Sequence, residues 1–328
     1  MILPLPWHQR QWQRIEAMRQ SARMPHALML RGPSGLGKGE FALRLSSVLL
    51  CEAETGPCGT CRGCRLMASG NHPDFLGLFP AEDKLTISVE QIRALIGHVW
   101  LTTQYGGYKV VVVNPAELMT PQAANTLLKT LEEPPGAAVF ILVTHESGLL
   151  PPTVRSRCQM LEFPLPPASR ALPWLDSRLP PELPAETLLR LADGAPFGAL
   201  EIADAGGAET RWELFRDLSA LVDEGSDPVA VADGWRGKEV TDVGRWLTTL
   251  TMDLIRLKTD ENSTTLTHSD LRQAMQPVAR RLDLIRLFAL LDVCLELRWL
   301  CVRQIRFNSQ LLLEDVAIRF AAAGEARS

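Results

Sequence analysis

Three groups of residues have types and spacings that could carry chemistry. Gly32-Pro-Ser-Gly35-Leu-Gly37-Lys38 fits the pattern G-x-x-x-x-G-K. Its glycines let backbone N–H groups turn toward a phosphate, and Lys38 adds a point charge for the outer oxygens. Cys51, Cys58, Cys61 and Cys64 follow the pattern C-x6-C-x2-C-x2-C, and four thiolates complete the closed tetrahedral shell of structural zinc. The third group is Thr-Val-Arg155-Ser-Arg157-Cys158. An arginine supplied by a neighbouring subunit can neutralise charge developing on a γ-phosphate, with Arg157 the candidate and Arg155 the alternative. Spacing alone favours a plainer role for Arg157, an ion pair with Glu132 or Glu133.

What the phosphate loop lacks matters more than the match. Hydrolysis needs Ser or Thr after the loop lysine, because that hydroxyl ligates Mg²⁺. Gly39 stands there. It also needs a carboxylate at the end of the central strand, where this chain has Asn114-Pro115. Neither residue can act as a base. A nucleotide could be held weakly or not at all, and turnover is not expected.

Among the cysteines, a redox C-x-x-C pair is the rival reading, but it leaves two of the four thiols without a role. The intervening EAETGPCGTCRGC is too polar to build its own core, so metal binding would supply the folding energy. Cys158, Cys294 and Cys301 lack such spacing and read as ordinary thiols. His72, in an HPD turn, reads as a turn residue before a ligand.

These residues need elements to position them. A helix is expected from about His8 to Ala22, with Trp12, Ile15, Met18 and Ala22 on one side. HALMLRG is a short strand, and residues 40–50 are helical again, so the loop lies between strand and helix as its chemistry requires. SVEQIRALIGHVW reads as a helix with a Ser88/Gln91 capping box. Val110 to Val113 is a buried parallel strand. Thr120 caps and Pro121 opens the helix TPQAANTLLKTLEE, which Pro134-Pro135 stops. AAVFILVT, ending in Thr144, is a second buried strand. Alternation of this kind indicates an α/β domain with a parallel sheet. From about Phe163 the chain becomes proline-rich and then helical. Arg281 to Arg306 is read as one helix, apolar around much of its circumference, as in a bundle or a subunit interface.

The chain has 328 residues, enough for two or three domains, and is 46 % hydrophobic. No apolar run is long enough for a bilayer, and MILPLPWHQRQW lacks the features of a secretion signal, so a cytoplasmic location without membrane partners is expected. A net charge of −4 argues against a protein that coats nucleic acid unaided. A basic excess up to Gly39 (Arg10, Arg14, Arg19, Arg23, Arg31 and Lys38 against Glu16) could meet phosphate or be a solvated helix face.

The series GPSGLGKG, the four-cysteine insert, NHPD, ANTLLKTLEEPP and TVRSRC resembles bacterial clamp-loader subunits of the AAA+ class, strongly over residues 1 to about 165. The resemblance implies an AAA+ domain at 1–165 with a zinc insert at about 51–64, a helical lid at 166–205 and a helical collar at 206–328. It implies that Arg157 is the finger reaching an adjacent subunit's ATP site, which reverses the odds from spacing. Thr144 falls where motor subunits sense phosphate. Those motors keep a hydroxyl after the lysine, an Asp-Glu pair and a lid arginine; here stand Gly39, Asn114-Pro115 and, in ADGAPFGALEIAD, Phe197. These departures are similar to a stator of DNA polymerase III, not to the gamma/tau motor. The implied partners are gamma/tau and delta in a five-membered loader, and through it the beta sliding clamp and primed DNA. Asn308 to Glu314 resembles the end of a collar. The competing readings are an active AAA+ ATPase and a zinc-dependent nucleic-acid-binding module.

Overall fold

The computed structural model describes residues 4–81, 86–302 and 307–324. The chain divides into two compact units, Met1–Trp174 with Gly194–Gly198, and Leu175–Asp193 with Ala199–Ser328.

The first unit is built on five parallel strands, β1 (Ala27–Arg31), β2 (Phe75–Leu78), β3 (Lys109–Val113), β4 (Ala138–Thr144) and β5 (Gln159–Glu162), in the spatial order β2-β3-β4-β1-β5. It is a parallel α/β architecture, with helices on both faces of the sheet. Every residue of β3 and β4 is buried, because helices cover both faces and the valine-rich runs need no polar side. Alternation sorts the side chains: Val111, Val113, Phe140 and Leu142 join one core, Val110, Val112, Ile141 and Val143 the other. Helices α1 (Gln9–Gln20) and α2 (Lys38–Leu49) close the second core through Ile15, Phe41 and Leu45. A short α3 (Arg62–Ala68) leads on to α4 (Val89–Val99) and α5 (Pro121–Glu132), which close the first core through Ile92, Leu95, Ala123 and Leu127.

Local signals act as expected. Both bonds of the Ser88/Gln91 capping box are made. Thr120 Oγ1 accepts from Ala123 N at 3.2 Å, with Pro121 first in the helix. The N-terminal helix stops sooner than expected: Ala22 has φ +52° and lies beyond it. After α6 (Pro152–Arg155) and α7 (Ala168–Asp176) come α8 (Ala185–Leu191) and α9 (Pro196–Asp204).

The second unit is helical throughout its described residues. Beyond α10 (Gly207–Asp223) and α11 (Pro228–Gly234), α12 (Val240–Thr259) packs on α13 (Arg272–Arg281) and α14 (Leu284–Val302), and α14 packs on α15 (Ser309–Gly324). The single helix expected from Arg281 to Arg306 is corrected at its start. The chain leaves α13 at Arg281, and Asp283 Oδ1 accepts from Arg286 N at 2.9 Å, an N-cap that starts α14 anew. Residues 303–306 lie outside the described residues.

Candidate functional site

The phosphate loop sits between β1 and α2. Gly35 (φ +71°) and Gly37 (φ +76°) occupy the left-handed region that admits glycine. Lys38 is 2 % exposed, and its Nζ donates to Gly32 O at 2.7 Å and also to Pro33 O. Two of the ammonium's three donors thus go to the loop's own carbonyls. Burial pulls the Lys38 pKa down to about 8, while the charge of Glu117 pushes the other way.

The mouth of the loop is filled by the chain itself. A Cβ at Gly37 would lie 2.4 Å from Leu5 Cδ1 and 2.8 Å from Phe197 Cε2, and one at Gly35 would lie 2.8 Å from Gly198 N. Phe197 N donates to Gly35 O at 2.9 Å. Trp7 Nε1 and His8 Nε2 both bond Leu36 O, at 3.0 and 2.9 Å. Trp7, Trp174 and Phe197 meet edge-on or tilted, with centroids 5.0–6.5 Å apart. Burial carries the His8 pKa down to about 4.

The two missing hydrolytic groups are neighbours. A Cβ at Gly39 would stand 3.2 Å from Asn114 Nδ2, so the lost hydroxyl and the lost carboxylate face each other across one gap. Thr144 is fully buried at the end of β4, level in the sheet with Arg31. One carboxylate does approach, and sequence reasoning missed it. Glu117, on a short 3-10 turn after β3, accepts from His145 N at 2.8 Å. Burial first and Lys38 second lower the His145 pKa, against Glu117. Asn114 Oδ1, Glu117 Oε2, Thr144 Oγ1 and His145 Nδ1 have no protein partner among the described residues. Only the position of Glu117 four residues past the strand end hinted at it.

The four cysteines converge. Their sulfurs all lie within 4.8 Å of one another, with Cys51–Cys61 at 3.8 Å and Cys58–Cys64 at 4.0 Å. Backbone N–H groups aim at the sulfurs: Ala53 N and Cys58 N at Cys51 Sγ, both 3.4 Å, Cys61 N at Cys58 Sγ and Cys64 N at Cys61 Sγ, both 3.3 Å. Donors of this kind suit thiolates, and the donor set fits one metal ion, with all four positions taken by protein. Hydrogen bonds from Thr60 and Cys61 bring Cys58 down to about 6, while burial takes Cys64 up to about 12. His72 stays outside the cluster, its Nδ1 accepting from Asp74 N. Cys158 and Cys294 are buried and Cys301 is partly so.

Arg157 lies two residues past the end of α6, with its side chain 33 % exposed. Nε donates to Glu132 Oε1 at 2.6 Å, Nη2 donates to the same oxygen, and Nη1 donates to Thr153 O at 2.8 Å. The ion pair that spacing alone favoured is therefore present, with Glu132 as partner. The Nε of Arg155 is buried without a partner among the described residues.

Two family models match, one described as DNA polymerase III, delta subunit, over residues 7–167, the other as the C-terminal part of that subunit, over 206–322. DNA polymerase III subunit delta' of Pseudomonas aeruginosa is 35 % identical over 322 residues, 97 % of this chain and 97 % of its own length. The Escherichia coli subunit delta' is 34 % identical over 96 % of this chain and 94 % of its length. Subunit tau of Salmonella typhimurium is 32 % identical over 56 % of this chain, but only 29 % of its own length. End-to-end similarity to the delta' proteins, joined to a phosphate loop stripped of its hydrolytic groups, makes this chain a member of the DNA polymerase III delta' family, the stator of the clamp loader.

Proposed function

We propose that this stator acts on ATP bound by another subunit, through Arg157, and hydrolyses none itself. One contrast carries the reading: Lys38 is buried and bonded to its own loop, whereas Arg157 presents a partly exposed guanidinium at the edge of the same domain. An arginine in that role is worth about 10³–10⁵-fold in rate. Nucleotide binding at Gly32, Gly35, Gly37, Lys38 and Thr144 is weak or absent, because Leu5, Phe197 and the 194–198 backbone stand where a ligand would approach. The test is a loader reconstituted with gamma/tau and delta, assayed for DNA-stimulated ATP hydrolysis with wild-type chain and with Arg157→Ala. Turnover of about 1 s⁻¹ or faster by the lone chain, an ordinary enzyme rate, contradicts the reading.

The metal at Cys51, Cys58, Cys61 and Cys64 is zinc, in a structural role. It supplies cross-linking that the polar insert cannot obtain from a core. Metal analysis of protein purified without chelator tests this.

The lid is assigned to 166–205 and the collar to 206–328, with gamma/tau and delta as ring neighbours and contact with the beta clamp and primed DNA made through the assembled loader. On α14 the exposed Ile285, Phe288, Leu295 and Trp299 recur at helical spacing, the kind of stripe another helix covers. DNA contact within the ring falls to the basic N-terminal region. Among the described residues no helix is long and apolar enough to cross a membrane; the cytoplasmic location is proposed with the loader assembly itself.

A further inference from the structure

Glu132 closes α5 and is exposed, and it stands at the wrong end of that helix. The C-terminus of a helix carries partial negative charge and favours cations. Here Glu132 is the last helical residue and Glu133 the C-cap, ahead of Pro134-Pro135. Local helix energetics do not call for an acid at this position, so its tertiary contact is the feature that needs explaining.

That contact is one-sided. A guanidinium carries five N–H donors in one plane. The side edge of Arg157, Nε with Nη2, is taken by the single oxygen Glu132 Oε1. One Nη1 hydrogen goes to Thr153 O at 2.8 Å, with Ser156 Oγ a longer 3.4 Å away. Beyond these, Nη2 keeps one hydrogen without a partner among the described residues, and the second hydrogen of Nη1 has at most the longer Ser156 Oγ contact, so the tip of the fork is left lightly held. A planar guanidinium grips an oxyanion bidentately through such a pair of parallel N–H groups.

We propose that Glu132 is a positioning residue for Arg157: with the Thr153 carbonyl it locks the guanidinium so that its tip faces outward, ready for the terminal phosphate of a nucleoside triphosphate on another subunit. The proposal rests on the reading of Arg157 as acting in trans. An unrestrained arginine has rotamer entropy to lose on engaging a phosphate, and here much of that ordering precedes the encounter. The opposing effect is that a carboxylate neutralises part of the guanidinium charge. Glu132 is 47 % exposed, so water screens that charge, while the orientation it imposes is not screened. Positioning wins.

The experiment uses the reconstituted loader and DNA-stimulated hydrolysis, with Glu132→Ala, Glu132→Gln, Arg157→Ala and the Glu132→Ala/Arg157→Ala pair. Glu132→Ala should lower kcat by about 10-fold, the scale of a misaligned catalytic contact, with the KM for ATP unchanged. Glu132→Gln keeps an acceptor oxygen and should recover most of that loss. The double variant should be no slower than Arg157→Ala alone. Circular dichroism of each variant should match wild type, since the Glu132 substitutions remove an acid from a helix C-terminus and Arg157 lies beyond the end of α6. If Glu132→Ala runs at or above the wild-type rate while Arg157→Ala is slow, the positioning role is overturned and the finger stands. Equal losses in the Ala and Gln variants would likewise reject orientation by hydrogen bonding. An unaffected Arg157→Ala would remove the finger reading itself, and the role of Glu132 with it.

Discussion

The phosphate loop and the arginine corner belong to one domain and carry opposite designs. At the loop, shape survives without chemistry: the glycines and Lys38 remain, but the lysine is sealed in and both metal-handling groups are gone. At the corner, a restrained guanidinium stands partly exposed at the surface, held by Glu132 and the Thr153 carbonyl with only a longer contact to Ser156 Oγ beside them. A group that serves its own chain's ligand must line a cavity, whereas one that serves a neighbour must stand outside. The same comparison explains why Lys38 alone is no sign of activity. A lysine bonded to Gly32 O and Pro33 O keeps the loop in shape whether or not phosphate ever arrives.

The sharpest way to break the contrast is Arg157→Ala. Hydrolysis in the reconstituted loader should fall by about 10³-fold, the lower end of the range for such arginines. Urea denaturation of the isolated chain should move by less than about 0.5 kcal/mol, because the Glu132 pair is largely exposed. A variant that unfolds but loads normally would invert the assignment of structural and functional roles.

A second test asks whether the cysteine insert is held like the loop, by its own packing, or by an ion. Only Gly63 and Cys64 are buried in α3, too little for a core. Chelation near pH 7 should release one metal per chain and expose four titratable thiols, readable by mass spectrometry and thiol labelling. Apparent metal-binding energies of about 10–16 kcal/mol in zinc-finger peptides set the scale for the local structure lost. Four thiols already protected from reagent in metal-free protein would contradict the ion's role.

Acid probes the seal. His8 is held neutral at the loop, with its pKa near 4 against 6.5 unfolded, chiefly by burial. A depressed folded value means the stability is complete above pH 6.5, drains as the unfolded chain takes up its proton, and is gone below about pH 4. The loss should approach about 3 kcal/mol across that window. His268, buried in the helical unit with a pKa near 3, extends the loss to lower pH there. Urea midpoints between pH 7 and pH 4 check the slope, and His8→Phe should flatten the part due to His8.

Much of this was legible in the sequence because the signals are local. The loop between β1 and α2, the caps at Ser88 and Thr120, the buried runs of β3 and β4 and the cysteine spacing each depend on a few consecutive residues. Even the partner of Arg157 could be named as Glu132 or Glu133. What escaped depends on chain return. Phe197 reaches Gly35 and Gly37 from far along the chain, and no periodicity encodes that meeting. Glu117 comes back to His145 only because a 3-10 turn follows the strand end. Strands β2 and β5 were not anticipated: Gly77 interrupts the first, and the second, Gln-Met-Leu-Glu, is polar at both ends and lies at a sheet edge. In α14 the apolar pattern overran a polar start, since Asp283 marks a new cap and hydrophobicity alone cannot see one.

The smallest expected effect compares two glycines, one from each side of the contrast. Gly37 has φ +76°, and an added Cβ would collide with Leu5 Cδ1 at 2.4 Å and Phe197 Cε2 at 2.8 Å. Gly148, a few residues before the arginine corner, has no atom within 4 Å of such a Cβ and no left-handed φ. Gly37→Ala should destabilise by about 1–3 kcal/mol, from left-handed strain on an L-residue plus displacement of two side chains that form the seal. Gly148→Ala should fall within about 0.5 kcal/mol of wild type, or slightly above it through lower unfolded-chain entropy. Both are read from urea midpoints at pH 7. If Gly37→Ala were as neutral as Gly148→Ala, Leu5 and Phe197 would not be packed on the loop. The mouth would then be open to nucleotide, and the distinction between a closed relic and an open finger would fail at its closed end.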